Sequence, residues 1–295
     1  MKAYVILNPV AGQKDPEEVK AIFQKAEKNS QLEYALYETT GKEDLKEVVE
    51  SAIDQGFDCI VACGGDGTVS GVVDGLAGQE VPLSILPRGT ANAFATELGI
   101  SKKLEDAFQL IVGPYQIKPV DLIQNGSRYY LLECSVGFTS RAIASVSREE
   151  KNKLGWLPYI WKGIRNFIGV DDIRFNMTID GENVFLKANE VSLFNTGQIG
   201  IIDEHLINDI KLDDGRLDLY VVQSRSFWDL LAILYYRLIS SPKKAPHIKY
   251  WQVKHSVEII SKPVINFQAD GDLMGNTPIK LKLAKEALRV IVPEA

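Results

Sequence analysis

The sequence predicts an α/β domain with a parallel sheet plus a mostly antiparallel β-sandwich second domain, a two-domain chain with an interdomain cleft. Three observations carry this. The 295 residues exceed one typical domain of roughly 150, and 45% apolar residues supply two cores. The first third alternates apolar strands with amphipathic helices, which demands crossover connections and a parallel sheet covered on both faces. After about Lys118 that alternation gives way to period-two patterning and hairpin turns.

In order, Tyr4 to Leu7 reads as a strand. Pro16 to Asn29 reads as a helix with Val19, Ile22, Phe23 and Ala26 on one stripe, and Leu32 to Tyr37 as a second strand. Lys42 to Gln55 repeats the helical spacing through Leu45, Val48, Val49 and Ala52. Cys59 to Cys63 and Leu83 to Leu86 are apolar strands on either side of another helix. Beyond Lys118, Ile173 to Ile179 alternates, Asp180-Gly181 supplies a hairpin turn, and Asn183 to Lys187 returns. Further strands are expected at Arg128 to Val136, Ala188 to Phe194, Leu217 to Val222, Ser256 to Ile260 and Val264 to Gln268. Two helices are expected, at Leu154 to Ile168 and Phe227 to Ile239. The last strand, Ala287 to Val292, is expected to rejoin the first domain. This divides the chain into residues 1–118 with 285–295, and 119–284.

Composition excludes several classes. With 33 basic and 39 acidic side chains the net charge is -6, without the basic excess that displaces counterions from nucleic acid. Cys59 and Cys63 lie in one strand, roughly 13 Å apart at about 3.3 Å per residue and beyond the ~7 Å Cα limit for a disulfide. With Cys134 alone besides, a reducing cytoplasmic location is expected. The apolar start, Ala3 to Leu7, is too short for a signal peptide. The longest apolar stretch, Phe227 to Ile239, contains Asp229 and Arg237 and falls short of the ~20 residues that span a bilayer. His205, His247 and His255 show no ligand spacing.

Chemistry concentrates in three loops, each following a strand of the first domain: Asn8-Pro9-Val10-Ala11-Gly12, Gly64-Gly65-Asp66-Gly67-Thr68 and Leu86-Pro87-Arg88-Gly89-Thr90-Ala91-Asn92. The carboxyl ends of parallel strands share one edge, so the loops should converge. Glycines let the backbone approach a ligand, and N–H groups at a helix start suit phosphate. Arg88 adds a bidentate donor, and Thr68, Thr90 and Asn92 add neutral ones. Asp66 is an anion among anion binders. It fits if Mg²⁺ offsets it or if it acts on a proton, and both point to phosphoryl transfer. A single such loop would equally be an ordinary strand-to-helix turn. No Gly-x4-Gly-Lys-Ser/Thr and no His-Arg-Asp loop occurs. Gly65-x-Gly67-x-x-Ser70 lacks the last glycine of a dinucleotide fingerprint, and the next strand ends in Pro87-Arg88 in place of a ribose-binding acid.

Together these motifs resemble the diacylglycerol kinase catalytic domain family, and most closely its small bacterial lipid kinases of the YegS and DgkB type. The Gly64 to Thr68 loop is shared with NAD kinases and phosphofructokinases, whereas Leu86 to Asn92 is specific to the lipid-kinase branch. The resemblance covers nearly the whole chain. It implies ATP against Asn8, Pro9, Ala11, Gly12, Thr39, the Gly64 to Thr68 loop, Arg88, Gly89, Thr90 and Asn92. It places Asp66 and Asp121 near a catalytic Mg²⁺ and aligns the family's Asp-Gly-Glu catalytic motif with Asp270-Gly271-Asp272. Here the glutamate is an aspartate. A structural Mg²⁺ is implied at Asp214 with the carbonyls of Lys211 and Arg216, where an ordinary turn is the competing reading.

The expected acceptor is a lipid such as diacylglycerol at a membrane surface, reached by peripheral association. Leu157, Ile160, Trp161, Ile164 and Ile168 would share one helical face with lysines nearby; core packing is the other reading of this helix and the favoured one of Phe227 to Ile239. A kinase for a soluble hydroxyl compound such as NAD, or a catalytically weak nucleotide-binding membrane protein, are the alternatives, and a homodimer stays open.

Overall fold

A computed structural model describes residues 1–12, 15–29, 31–145, 173–197, 210–223 and 246–294. They fall into two units, Met1–Leu122 with Ala284–Ala295, and Ile123–Gly197 with Leu206–Leu283. The chain passes from the first to the second inside one strand and returns inside another. The two expected helices at 154–168 and 227–239 lie outside the described residues.

The first unit contains β1 (Lys2–Leu7), α1 (Pro16–Lys28), β2 (Glu33–Glu38), α2 (Leu45–Asp54), β3 (Cys59–Gly64), α3 (Asp66–Leu76), β4 (Leu83–Pro87), α4 (Ala93–Glu97), α5 (Leu104–Val112) and most of β5 (Gln116–Asn125). The order β2-β1-β3-β4 is parallel throughout. β3 is buried at every position, as a sheet covered on both faces requires. Phe23 of α1 meets Phe108 of α5 edge-on at 5.0 Å. α1 starts where Asp15 caps Glu17 N–H and Pro16 occupies the first turn. α2 begins at Leu45, three residues later than the spacing suggests. Asp44 caps Lys46 N–H, and Glu43 is spent on the Thr40 and Lys42 N–H groups.

The second unit continues with β6 (Arg128–Tyr130), β7 (Glu133–Gly137), α6 (Phe138–Ser145), β8 (Ile173–Ile179), β9 (Glu182–Ala188), β10 (Glu190–Phe194), β11 (Leu217–Val222), β12 (Ile248–Val253), β13 (Ser256–Lys262), β14 (Asn266–Ala269), β15 (Asp272–Asn276) and β16 (Ile279–Val292). One antiparallel sheet runs β12-β11-β10-β7-β14-β15, and β9-β8-β13 with the start of β16 forms another. Val136, Val191, Leu193, Leu219 and Val221 of the first pack with Phe175, Met177, Val257, Ile259 and Leu281 of the second. This is the antiparallel sandwich. Residues 284–292 of β16 belong to the first unit, where Val290 pairs parallel with Leu83.

Two expected strands are each divided. Arg128 to Val136 breaks between Tyr130 and Glu133, because three successive N–H groups there turn to the Asp270 carboxylate. Ala188 to Phe194 breaks at Asn189, where the chain leaves β9's sheet for β10's. Asp180-Gly181 forms the expected hairpin turn, with φ of 46° and 93°. Cys59, Cys63 and Cys134 are free and buried. Among the described residues no helix is long and apolar enough to cross a membrane.

Candidate active site

The ends of β1, β3 and β4 lie side by side, Leu7 opposite Cys63 and Gly64 opposite Pro87. The loops that follow are tied to one another. Asn8 N–H donates to the Cys63 carbonyl and Arg88 N–H to that of Gly64, both at 2.9 Å. Asn8 Nδ2 donates to Thr68 Oγ1 at 3.1 Å, and Arg88 Nη1 to the Asn8 carbonyl at 3.0 Å. Thr39 N–H, at the end of β2, donates to the Leu7 carbonyl. Asn8 to Gly12, Thr39, Gly64 to Thr68 and Arg88 to Asn92 are thus one assembly at one sheet edge.

The approach of these loops needs glycine. Gly12 has φ +68°, and a Cβ there would lie 1.9 Å from the Arg88 carbonyl oxygen; a Cβ on Gly89 would lie 2.5 Å from Gly65 Cα. Backbone against backbone leaves no flexible side chain to yield. Gly12→Ala is therefore expected to cost about 2 kcal/mol or more, read as a lower unfolding temperature, with Gly41→Ala as the control: the same positive φ but open space.

Two expected phosphate donors have structural work. Arg88 is 2% exposed and holds the first loop through the Asn8 carbonyl. Asn92, left-handed at φ 50°, accepts from Gly89 N–H and donates to the Gly89 carbonyl, both at 2.8 Å. Thr90 is exposed in the third loop and Gly67 in the first turn of α3. Asp66 opens α3, and its Oδ1 accepts from Phe94 N–H at 3.3 Å. Burial raises its pKa, against the lowering pull of backbone N–H groups from Phe94 and Ala93. A half-buried carboxylate whose charge is poorly solvated fits a hard divalent cation, which takes oxygen ligands.

The remaining candidates are on other elements. Asp121 is fully buried on β5, where its Oδ1 accepts from Glu286 N–H at 2.7 Å. Asp214 Oδ2 lies 2.9 Å from Arg216 Nε. The expected metal position therefore has a guanidinium of the chain on its carboxylate. Both Asp214 carboxylate oxygens are buried; a cation here would rest on Asp214 with the backbone carbonyls of Lys211 and Arg216, a set in which Asp214 is the sole carboxylate. Asp270, in the second unit, accepts from the N–H groups of Leu131, Leu132 and Glu133 at 2.8, 2.8 and 3.1 Å, which makes it an anchor of the backbone. Asp272, two residues on, is exposed.

Sequence reasoning missed a polar layer beneath that turn. Gln268 Nε2 donates to Glu133 Oε1 at 2.8 Å and to Ser135 Oγ at 2.7 Å. The Ser135 and Thr139 hydroxyls are 2.6 Å apart, and Glu190 accepts from the Thr139 hydroxyl and N–H. The signal was present: Glu133 and Ser135 alternate with apolar Cys134 and Val136, and Glu190 and Ser192 with Val191 and Leu193. Burial pushes both Glu133 and Glu190 up to about 7, against the lowering hydrogen bonds from Gln268 and Thr139 respectively. A carboxyl whose folded pKa lies above its ordinary 4.5 stabilises the fold fully below 4.5 and loses that contribution as pH rises through 7. The unfolding temperature is expected to fall between pH 5 and 8, and Glu190→Gln to flatten this fall. An equal slope in that variant would refute the assignment.

Known proteins resemble this chain along its length. The model of the diacylglycerol kinase catalytic domain matches residues 2–125, and that of the YegS C-terminal NAD kinase beta sandwich-like domain matches 133–292. An uncharacterized protein of Synechocystis sp. is 30% identical over 98% of this chain and 70% of its own length. A diacylglycerol kinase of Bacillus subtilis is 28% identical over 99% and 97%. A crystal structure of a diacylglycerol kinase from Bacillus anthracis str. Sterne superposes with a TM-score of 0.79 at 26% identity, covering 99% of this chain and 96% of that one. The two matches cover the parallel-sheet unit and the sandwich in turn, and the chain belongs to the diacylglycerol kinase family of the YegS type.

Proposed function

We propose that this protein is an ATP- and Mg²⁺-dependent lipid kinase that transfers the γ-phosphoryl group to the hydroxyl of a lipid such as diacylglycerol. The observation that carries the reading is the gathering of three glycine loops at one sheet edge around a poorly solvated aspartate. The kinase names of the relatives support the reaction class.

The roles follow from the chemistry. A lipid hydroxyl is a weak nucleophile at neutral pH, so a carboxylate must accept its proton as the oxygen attacks. Asp272 is assigned this role, being the exposed carboxylate of its turn. The new P–O bond forms as the bond from the γ-phosphorus to the bridging oxygen breaks, and ADP leaves. Backbone N–H groups of the loops and the start of α3 hold the donor's phosphates. Mg²⁺, when bound, offsets charge on those phosphates, and Asp66 is the residue that would hold it.

The test is to incubate the full chain with γ-labelled ATP, Mg²⁺ and mixed micelles of several lipid alcohols, with NAD as a parallel acceptor. Label in a lipid is expected. Label in NAD but in no lipid, or in neither, overturns the reading.

A further inference from the structure

The chain contains the same turn twice. Asp180-Gly181 joins β8 to β9, and Asp270-Gly271 joins β14 to β15; both aspartates are left-handed, at φ 46° and 48°, and both glycines follow at 93° and 88°. Each aspartate accepts three successive N–H groups from a neighbouring segment. For Asp180 these are Lys254, His255 and Ser256 at 2.7, 2.8 and 2.9 Å. For Asp270 they are Leu131, Leu132 and Glu133. Even the return bond is shared: Asp180 N–H donates to the Ser256 carbonyl and Asp270 N–H to that of Glu133. The aspartate clamp is therefore a building device of this sandwich, used where no chemistry is assigned as well as where it is.

What differs is the residue two positions before each aspartate. At the Asp180 turn it is Thr178, which bonds the Asn183 side chain. At the other turn it is Gln268, 1% exposed, whose Oε1 accepts from Gly271 N–H at 2.9 Å. Its Nε2 is meanwhile fixed by Glu133 and Ser135. Gly271 is the residue immediately before Asp272. A buried amide, held on one side by a carboxyl and a hydroxyl, thus fixes the peptide that leads into the exposed carboxylate.

We propose that Gln268 is a positioning residue for Asp272, with Glu133 as its anchor; this rests on the kinase reading above. An acceptor that must meet a hydroxyl proton loses rate steeply when displaced by about 1 Å. The sister turn has an exposed carboxylate of its own, Glu182, in the equivalent position but is assigned no proton transfer, and it has no buried amide behind it.

The experiment is a double-mutant cycle on the full chain with the labelled-ATP micelle assay. Gln268→Met keeps the volume and removes all three bonds. It is expected to lower kcat about tenfold with KM for ATP within twofold, and to lower kcat less than twofold further when Asp272→Asn is already present. The exchanged pair Glu133→Gln with Gln268→Glu keeps an acceptor for Gly271 N–H and an amide–carboxyl bond, and is expected to regain kcat to within about threefold of the parent. The same tenfold loss in both Asp272 backgrounds, or no loss in either, overturns the proposal. Should Gln268→Met not fold, the exchanged pair decides: an activity near the parent's supports the clamp and a tenfold loss overturns it. If the parent chain labels no lipid, the kinase reading falls by itself, and hydrogen exchange decides the clamp. Faster exchange of Gly271 N–H in Gln268→Met than in the parent supports it, and unchanged exchange overturns it.

Discussion

Asp66→Asn is expected to lower lipid phosphorylation by about 10²- to 10³-fold while leaving the unfolding temperature unchanged or higher. The two effects part because of where the carboxylate sits. The amide oxygen still accepts from Phe94 N–H, so the contact between the start of α3 and the start of α4 persists. Burial already disfavours the charged form, so a neutral isostere removes a desolvation cost in the unliganded protein. Phosphoryl transfer loses the carboxylate proposed to hold the cation. A folding defect would lower both quantities together, and that outcome would remove Asp66 from the site. Transfer at the parent's rate would do the same.

Asp272→Asn is expected to cost about 10²- to 10⁴-fold in kcat, the range that a positioned general base contributes. The residue is exposed at the start of β15, so stability should stay within about 0.5 kcal/mol. Asp272→Glu is the sharper experiment. The resemblance to the family aligns a longer acid with this position, and one more methylene extends the reach by about 1.5 Å, a displacement of the size that costs ~10² in rate. If the remaining geometry is that of the family, the glutamate raises kcat. If it lowers kcat, the turn of this chain is set for the shorter side chain, and the clamp on Gly271 is where to look for the adjustment. Equal rates for Asp, Asn and Glu at this position would exclude it as the proton acceptor.

Much of this was legible in the residues, and the limits have physical causes. The parallel order of β1, β3 and β4 followed from strand-helix alternation, and with it the gathering of Asn8, Gly64 and Arg88, because parallel strands leave no other place for their carboxyl ends. Side-chain roles inside the loops were less readable. Arg88 and Asn92 have the chemistry of phosphate donors, yet a loop with close backbone approaches also needs internal hydrogen bonds, and these two supply them. Asp270 illustrates the same competition. An Asp-Gly pair predicts a turn, but which backbone its carboxylate captures depends on a segment well over a hundred residues away in sequence, beyond any local pattern. β5, β12 and β15 were missed. β15 is exposed along its whole length and so lacks the alternation that betrays a half-buried strand, while Pro119 interrupts β5. Glu133 and Glu190 were passed over because charged residues at alternate strand positions ordinarily face solvent, and here that face is covered.

The cysteines give the chain a practical property. Burial pushes the Cys59 thiol up to about 12 and the thiols of Cys63 and Cys134 higher than their ordinary value. The reactive species in alkylation is the thiolate, so the three buried sulfhydryls of the native fold are expected to react slowly with maleimides. A fluorophore or spin label can then be directed to one introduced cysteine with the native three left in place. Val10, 85% exposed in the first glycine loop, is the natural site. A probe there would report on occupancy of the loops at equilibrium, without turnover and without a lipid.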